Sequence, residues 1–191
     1  MGKIFWNGGT LLSPVPPVLV SCGTIEKPNI ITIGWTGIVN TKPPMTYISV
    51  RPERYSYKII KDSGEFVINL TTSSLIKIAD FCGVKSGAKV DKFKSCGLHR
   101  FAAIKVSAPV IDESPLSLEC VVKQIIPLGS HDMFLAEIVG ADIDERYIDS
   151  KGKLNLQQCG LAAYSHGEYF ALGRKLGDFG FSVRKKKRNK K

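Results

Sequence analysis

The chain has 191 residues, 43% hydrophobic and 23% charged, with a formal net charge of +10. That length allows one good-sized core and crowds two, and the composition is that of an ordinary globular protein, which excludes fibrous and disordered classes. No apolar run approaches the roughly 20 residues of a membrane helix, and the prolines of "TLLSPVPPVLVSCG" interrupt any signal-peptide core.

In chain order, "PVLVSCGT" predicts an apolar strand closed by a turn at "EKPN". "IITIGWTGIV" follows as a strand rich in β-branched residues and free of charge. "NTKPP" reads as a rigid loop and "MTYISV" as a third strand. "RYSYKIIKDSG" predicts a helix that Gly64 can end, "EFVINL" a strand, and "TSSLIKIADFCG" a second helix starting at Ser or Thr and ending near Gly83. Residues 84–107 read as irregular. "LSLECVVKQII" and "MFLAEIVGADI" predict a hairpin around "PLGSHD", and "GLAAYSHGEYFALG" holds short aromatic and glycine-rich segments.

The predicted fold class is therefore mainly β: an antiparallel barrel or sandwich with attached helices, and no βαβ rhythm. One domain is expected over 1–183, with a polybasic tail over 184–191. That tail, "RKKKRNKK", supplies seven positive charges and no negative one, so the body carries only +3. A run of this kind is read as a solubilising tail rather than a nucleic-acid site. No specific nucleic acid and no membrane is expected as a partner. Five cysteines without a CxxC, and three scattered histidines, suit a reducing cytoplasm and no metal centre.

No GxGxxG, P-loop, GxSxG or HExxH is present. The acidic pair Asp142/Asp144 is read as part of a solvated turn. The informative stretch is "SVRPERYSYKII", Ser49 to Ile60, which places Arg51 and Arg54 where a helix begins. Cations oppose the helix dipole there, unless an anion sits between. Arg51 at a strand end, Ser56 in the first turn and free backbone N–H groups together make a phosphate site. Solvated arginines compensated by Glu53 are the plain alternative. A second stretch, "IGWTGIVN", flanks Trp35 and Thr36 with Gly34 and Gly37 inside a good strand. Glycine there marks a bulge, a packing contact, or the close approach of a ligand. Joined, the two stretches point to a mononucleotide.

"ITIGWTGIVNTKPPMTYISVRPERYSYKIIKDSGEFVINL", with "SGAKVDKF" and "YFALGRKLGDFGFSVRKK", resembles the flavin reductase-like family with the FMN-binding split β-barrel of antiparallel Greek-key type, nearest to its flavoredoxin branch. The resemblance implies a homodimer that binds FMN at or near the subunit interface. It implies Trp35, Thr36 and Gly37 along the flavin ring, and Ser49, Val50, Arg51 and Ser56 at the ribityl and phosphate end. Asn69 and Lys89 are implied as secondary contacts. NADH or NADPH is the implied electron donor, and a redox partner protein the implied alternative acceptor. His166 is the candidate nicotinamide contact, and no catalytic acid or base is expected to be essential. The alternative function is a non-catalytic flavin- or nucleotide-binding module.

Overall fold

The computed structural model describes residues 2–184, so the expected tail lies outside the described residues apart from Arg184. Strand β1 (Val18–Gly23) pairs with β2 (Pro28–Ile33), and β3 (Thr36–Thr41) with β4 (Pro44–Val50). Helix α1 (Tyr55–Ser63) leads into β5 (Glu65–Leu70), and α2 (Ile76–Val84) follows a short 3-10 turn at Ser73–Leu75. Then come α3 (Lys92–Cys96), the short β6 (Arg100–Phe101) and β7 (Val110–Ile111), the long hairpin β8 (Leu116–Pro127) and β9 (Asp132–Ile143), and a late hairpin of β10 (Ala162–Ser165) and β11 (Glu168–Ala171).

The main sheet has seven antiparallel strands in the order β2-β1-β5-β8-β9-β4-β3. Its two edge strands, β2 and β3, are joined by only Gly34 and Trp35. Two residues span at most about 7 Å, so the sheet has to curl until its edges meet. A bond from the Ser49 N–H to the Trp35 carbonyl, 2.9 Å, fastens β4 to this corner. The result is a barrel split along that seam.

Three sequence expectations change here. "IITIGWTGIV" is two strands instead of one, because Gly34 and Trp35 carry the chain across the seam from one edge to the other. The segment 84–107 contains α3, which Asp91 caps by accepting from the Lys94 N–H at 3.0 Å and Gly97 ends in the left-handed region, φ 63°. Asp142 is no turn residue: it lies in β9 opposite Ser117, and its Oδ2 is enclosed without a hydrogen-bond partner.

β1 explains why its sequence is apolar without alternation. Val18, Val20 and Cys22 point into the barrel with Ile48, Phe66 and Phe134. Leu19 points the other way, under Leu75, Ala79 and Cys82 of the α2 region and Phe93 of α3. Burial on both faces removes the period-2 signal. Ile60 of α1 also enters the barrel core, and this contact sets where the N-terminus of α1 comes to rest.

Candidate functional site

The end of β2, the start of α1, the end of α2 and the loop into α3 enclose a hollow of about 400 Å³. Its wall carries Arg51, Glu53, Arg54, Ser56, Lys85, Ser86 and Lys92. No acidic residue occupies the first turn of α1 and no side chain caps it. The unsatisfied N–H groups that any helix start presents are therefore left for another acceptor.

Arg51 directly follows β4, and its Nη1 lies 3.5 Å from Glu53 Oε1 with both groups at the surface, a loose pair of little energetic weight. Arg54 is the N-cap residue of α1, and its Nη1 donates to the Gly83 carbonyl at 3.2 Å, near the C-terminal end of α2. A cation at those carbonyls is favourable. The sequence left open that both arginines are solvated and compensated by Glu53. In the structure Arg51 holds that contact and Arg54 faces the hollow.

The Ser56 hydroxyl is buried and accepts a bond from Asn29 Nδ2 at 2.7 Å. Gly87 lies against the same pair: a Cβ there would overlap Asn29 Oδ1 and stand 3.0 Å from the Tyr55 ring. Only glycine lets the loop close this near to α1. Lys92, 4% exposed, donates from Nζ to the Ile30 carbonyl at 2.6 Å and the Cys82 carbonyl at 2.7 Å. Burial pushes its pKa down from the usual lysine range.

A second hollow, of about 240 Å³, shares Ile31, Arg51 and Arg54 with the first and runs on to Trp35, Ser49, Val50 and His131. The two form one trough, cationic at one end and walled by strand ends at the other. Tyr57 of α1 donates its hydroxyl to Asp132 Oδ2 at 2.5 Å, and this bond raises the Tyr57 pKa. It also ties the β8–β9 turn to α1, beside His131. A further aromatic hollow of about 250 Å³ adjoins at Trp35 and Arg54 and is walled by Tyr164 and Tyr169.

Thus Trp35, Ser49, Val50, Arg51 and Ser56 come together along the trough. Thr36 and Gly37 do not line it: Thr36 Oγ1 donates to the Tyr47 carbonyl at 2.6 Å, and Gly37 lies against the Tyr47 ring. β3 is the last strand of the sheet, so backbone groups facing away from β4 have no strand partner. Asn69 is corrected to a core residue. It is fully buried, donates to the Leu19 carbonyl and Ser21 Oγ, and accepts from the Ile111 N–H and Ser117 Oγ. Lys89 is exposed, and its backbone N–H closes a turn onto Ser86 while Ser86 and Gly87 face the hollow. His166 is exposed at the tip of the late hairpin, at φ 48° beside Gly167 at φ 89°. That is a tight primed-turn position, and His166 lines neither part of the trough.

Lys92 and His131 are what sequence reasoning missed. Lys92 stood in "SGAKVDKF", with Asp91 as a capping residue and Phe93 as an apolar one for local signs that a packed helix starts there. His131 stood in the hairpin turn "PLGSHD", and nothing local says which way that turn leans.

The flavin reductase like domain matches residues 11–173. The chain belongs to this family. Its fold is similar to flavoredoxin of Desulfovibrio vulgaris (Miyazaki F), with a TM-score of 0.88 and 28% identity over 96% of this chain and 100% of that one. It is similar to flavoredoxin from Methanosarcina acetivorans, with a TM-score of 0.86 and 30% identity over the same shares, 96% and 100%. An uncharacterized protein of Archaeoglobus fulgidus is 32% identical over 144 residues, 75% of this chain and 81% of that protein. The mainly β split barrel is the family's fold, and the work of the chain is flavin-linked oxidoreduction or electron transfer.

The residues of the trough fit FMN. Lys92 is a buried cation with no carboxylate within ion-pair distance among the described residues, and Gly87 keeps the loop tight over Ser56. Glu53, the carboxylate on this wall, pairs with Arg51, and Arg54, Lys85 and Lys92 have no ion-pair partner among the described residues. Among the described residues no helix is long and apolar enough to cross a membrane, and no group of His, Cys, Asp or Glu is arranged to hold a metal.

Proposed function

We propose that the chain binds FMN with its phosphate in the cationic hollow and its ring along the seam. Arg51, Ser56 and the start of α1 hold the phosphate, and Ser49 and Val50 flank the ribityl chain. Trp35 borders the ring, while Thr36 and Gly37 contribute through the free backbone edge of β3. The carrying observation is the continuity of the trough from a cationic end to the Gly34–Trp35 seam.

FMN, when bound, supplies the ring that accepts and gives up electrons. The residues orient it: the guanidinium and ammonium groups fix one end, and the seam fixes the other. His131, at the ring end, is the titratable side chain placed to meet a second reactant. We assign the nicotinamide contact to it in place of His166. NADH or NADPH is the proposed donor, and free flavin or a redox partner protein the proposed acceptor. A homodimer is proposed because the edge strand β3 exposes Ile38 and Val39, apolar groups that a second copy would cover. The five free cysteines fit a reducing compartment such as the cytoplasm.

The test is the absorbance spectrum of protein loaded with FMN and desalted, followed by anaerobic titration with NADH and NADPH. A yellow protein bleached by one of them is the expected outcome. A protein that comes off the column colourless refutes the reading. One that stays yellow with both donors and with a reduced ferredoxin is a flavin-binding module without reductase activity.

A further inference from the structure

Lys92 presents a charge problem that the fold alone does not solve. Its ammonium has three donors. Two are spent on backbone carbonyls, Ile30 O of β2 and Cys82 O in the last turn of α2, which leaves one donor and the whole unit charge. Isolated charges are costly to bury unless an opposite charge compensates them.

The groups that face Lys92 come from every element packed round it: Cys22 from β1, Cys82 from α2, Cys96 from α3, and Arg54 ahead of α1. None is an anion near neutral pH. Burial pushes the thiols of Cys22 and Cys82 up to about 12 and raises that of Cys96. Arg54 adds a second positive charge. The remaining polar neighbours on the hollow wall are the hydroxyls of Ser56 and Ser86, with Arg51, Glu53 and Lys85 beyond. Lys92 thus sits at the back of a cavity whose front is mainly cationic, and the Glu53 carboxylate at that front pairs with Arg51, not with Lys92.

We propose that Lys92 is the buried counter-cation of the phosphate that fills this hollow, and that filling it is coupled to protonation of Lys92: the phosphate binds the ammonium form and is released when the proton leaves. The proposal rests on the flavin reading above for the identity of the ligand, but not for the coupling, which any phosphate in the hollow would show.

The sign follows from linkage. With the hollow empty, burial and Arg54 favour neutral lysine; with a dianion present, the ammonium is favoured. Binding above the lowered pKa of the empty protein therefore takes up a proton, and affinity declines with rising pH. A phosphate monoester is already dianionic well above its second pKa of about 6, so its own ionisation is silent in the alkaline range.

The experiment is calorimetric titration of the full chain with FMN between about pH 8 and 10, in paired buffers of different ionisation enthalpy. Uptake rising toward about one proton per FMN, with affinity falling about tenfold per pH unit at full uptake, is expected. Riboflavin, which lacks the phosphate, should show no uptake. Lys92→Met should abolish the uptake and weaken FMN at least about tenfold, while riboflavin affinity stays within about twofold. FMN binding to the wild-type protein without proton uptake overturns the proposal whether or not the variant folds. Equal loss of FMN and riboflavin by the variant also overturns it, because that marks a purely structural lysine. If FMN does not bind at all, the flavin reading falls. Inorganic phosphate then becomes the probe: a rise in melting temperature that fades with pH upholds the coupling, and no rise overturns it.

Discussion

Two buried charges lie in different parts of the fold, Lys92 behind the trough and Glu119 in β8, and they are handled in opposite ways. Glu119, 1% exposed, is satisfied from within: Oε1 accepts from the Ile104 N–H at 3.0 Å and Oε2 from the Lys105 N–H at 2.6 Å. Its neighbour Asp142 gives way to it. Burial first, then the Glu119 charge, pushes the Asp142 carboxyl up to about 6, so below that pH a proton is retained near this pair where two carboxylates would otherwise repel. Lys92 has carbonyl acceptors but no anion. A charge that the fold satisfies belongs to architecture; a charge left over beside a cavity points to a ligand.

The largest effect expected from breaking this contrast is on stability. Glu119→Leu leaves the Ile104 and Lys105 amides without their acceptor and should cost about 2–3 kcal/mol in urea unfolding, with FMN affinity unchanged. A loss of FMN affinity without loss of stability would reverse the assignment. Arg51→Ala comes next: it should weaken FMN by about 1–2 kcal/mol, as for one charge-assisted bond at an exposed position, and leave the unfolding midpoint in place. Fluorescence titration reads the first quantity and urea melts the second; equal affinity for FMN would move the phosphate away from Arg51.

The smallest effect is the pH dependence of Asp142. A carboxyl whose folded pKa is raised contributes stability that is full at low pH and is lost as pH rises through about 6. Asp142→Asn removes that loss. The variant should match the wild type only below about pH 4, draw ahead between about pH 4 and 6, and exceed it by about 1 kcal/mol at pH 7.5, a figure discounted for partial solvent exposure. A variant less stable at pH 7.5 would mean that Asp142 is ionised and welcome in the native state.

Much of the trough was legible locally. A strand running into Arg51, a proline turn and Ser56 in the first turn of a helix are neighbours in the chain, so their meeting needs no tertiary information. Trp35 was legible for the same reason, although the glycine beside it turned out to mark a seam between two strands. Asn69 misled because it resembles a contact residue in sequence, while four of its five partners lie 42 to 50 residues away. Lys92 bonds to Ile30, 62 residues off, and no window of sequence can show that pairing. His131 required the Tyr57 to Asp132 bond, across 75 residues, to bring its turn over the trough.

By itself the sequence determined the β-rich elements, the helix that starts at the arginine stretch, and the family. These depend on periodicity, turn residues and motifs carried in short segments. Tertiary structure alone decided that Gly34 and Trp35 close the barrel, that Arg54 and Lys92 share a cavity, and that His131 rather than His166 lines the adjoining end of the trough. Those outcomes depend on which distant backbone groups a buried charge or a turn can reach, and only the closed sheet brings them within reach.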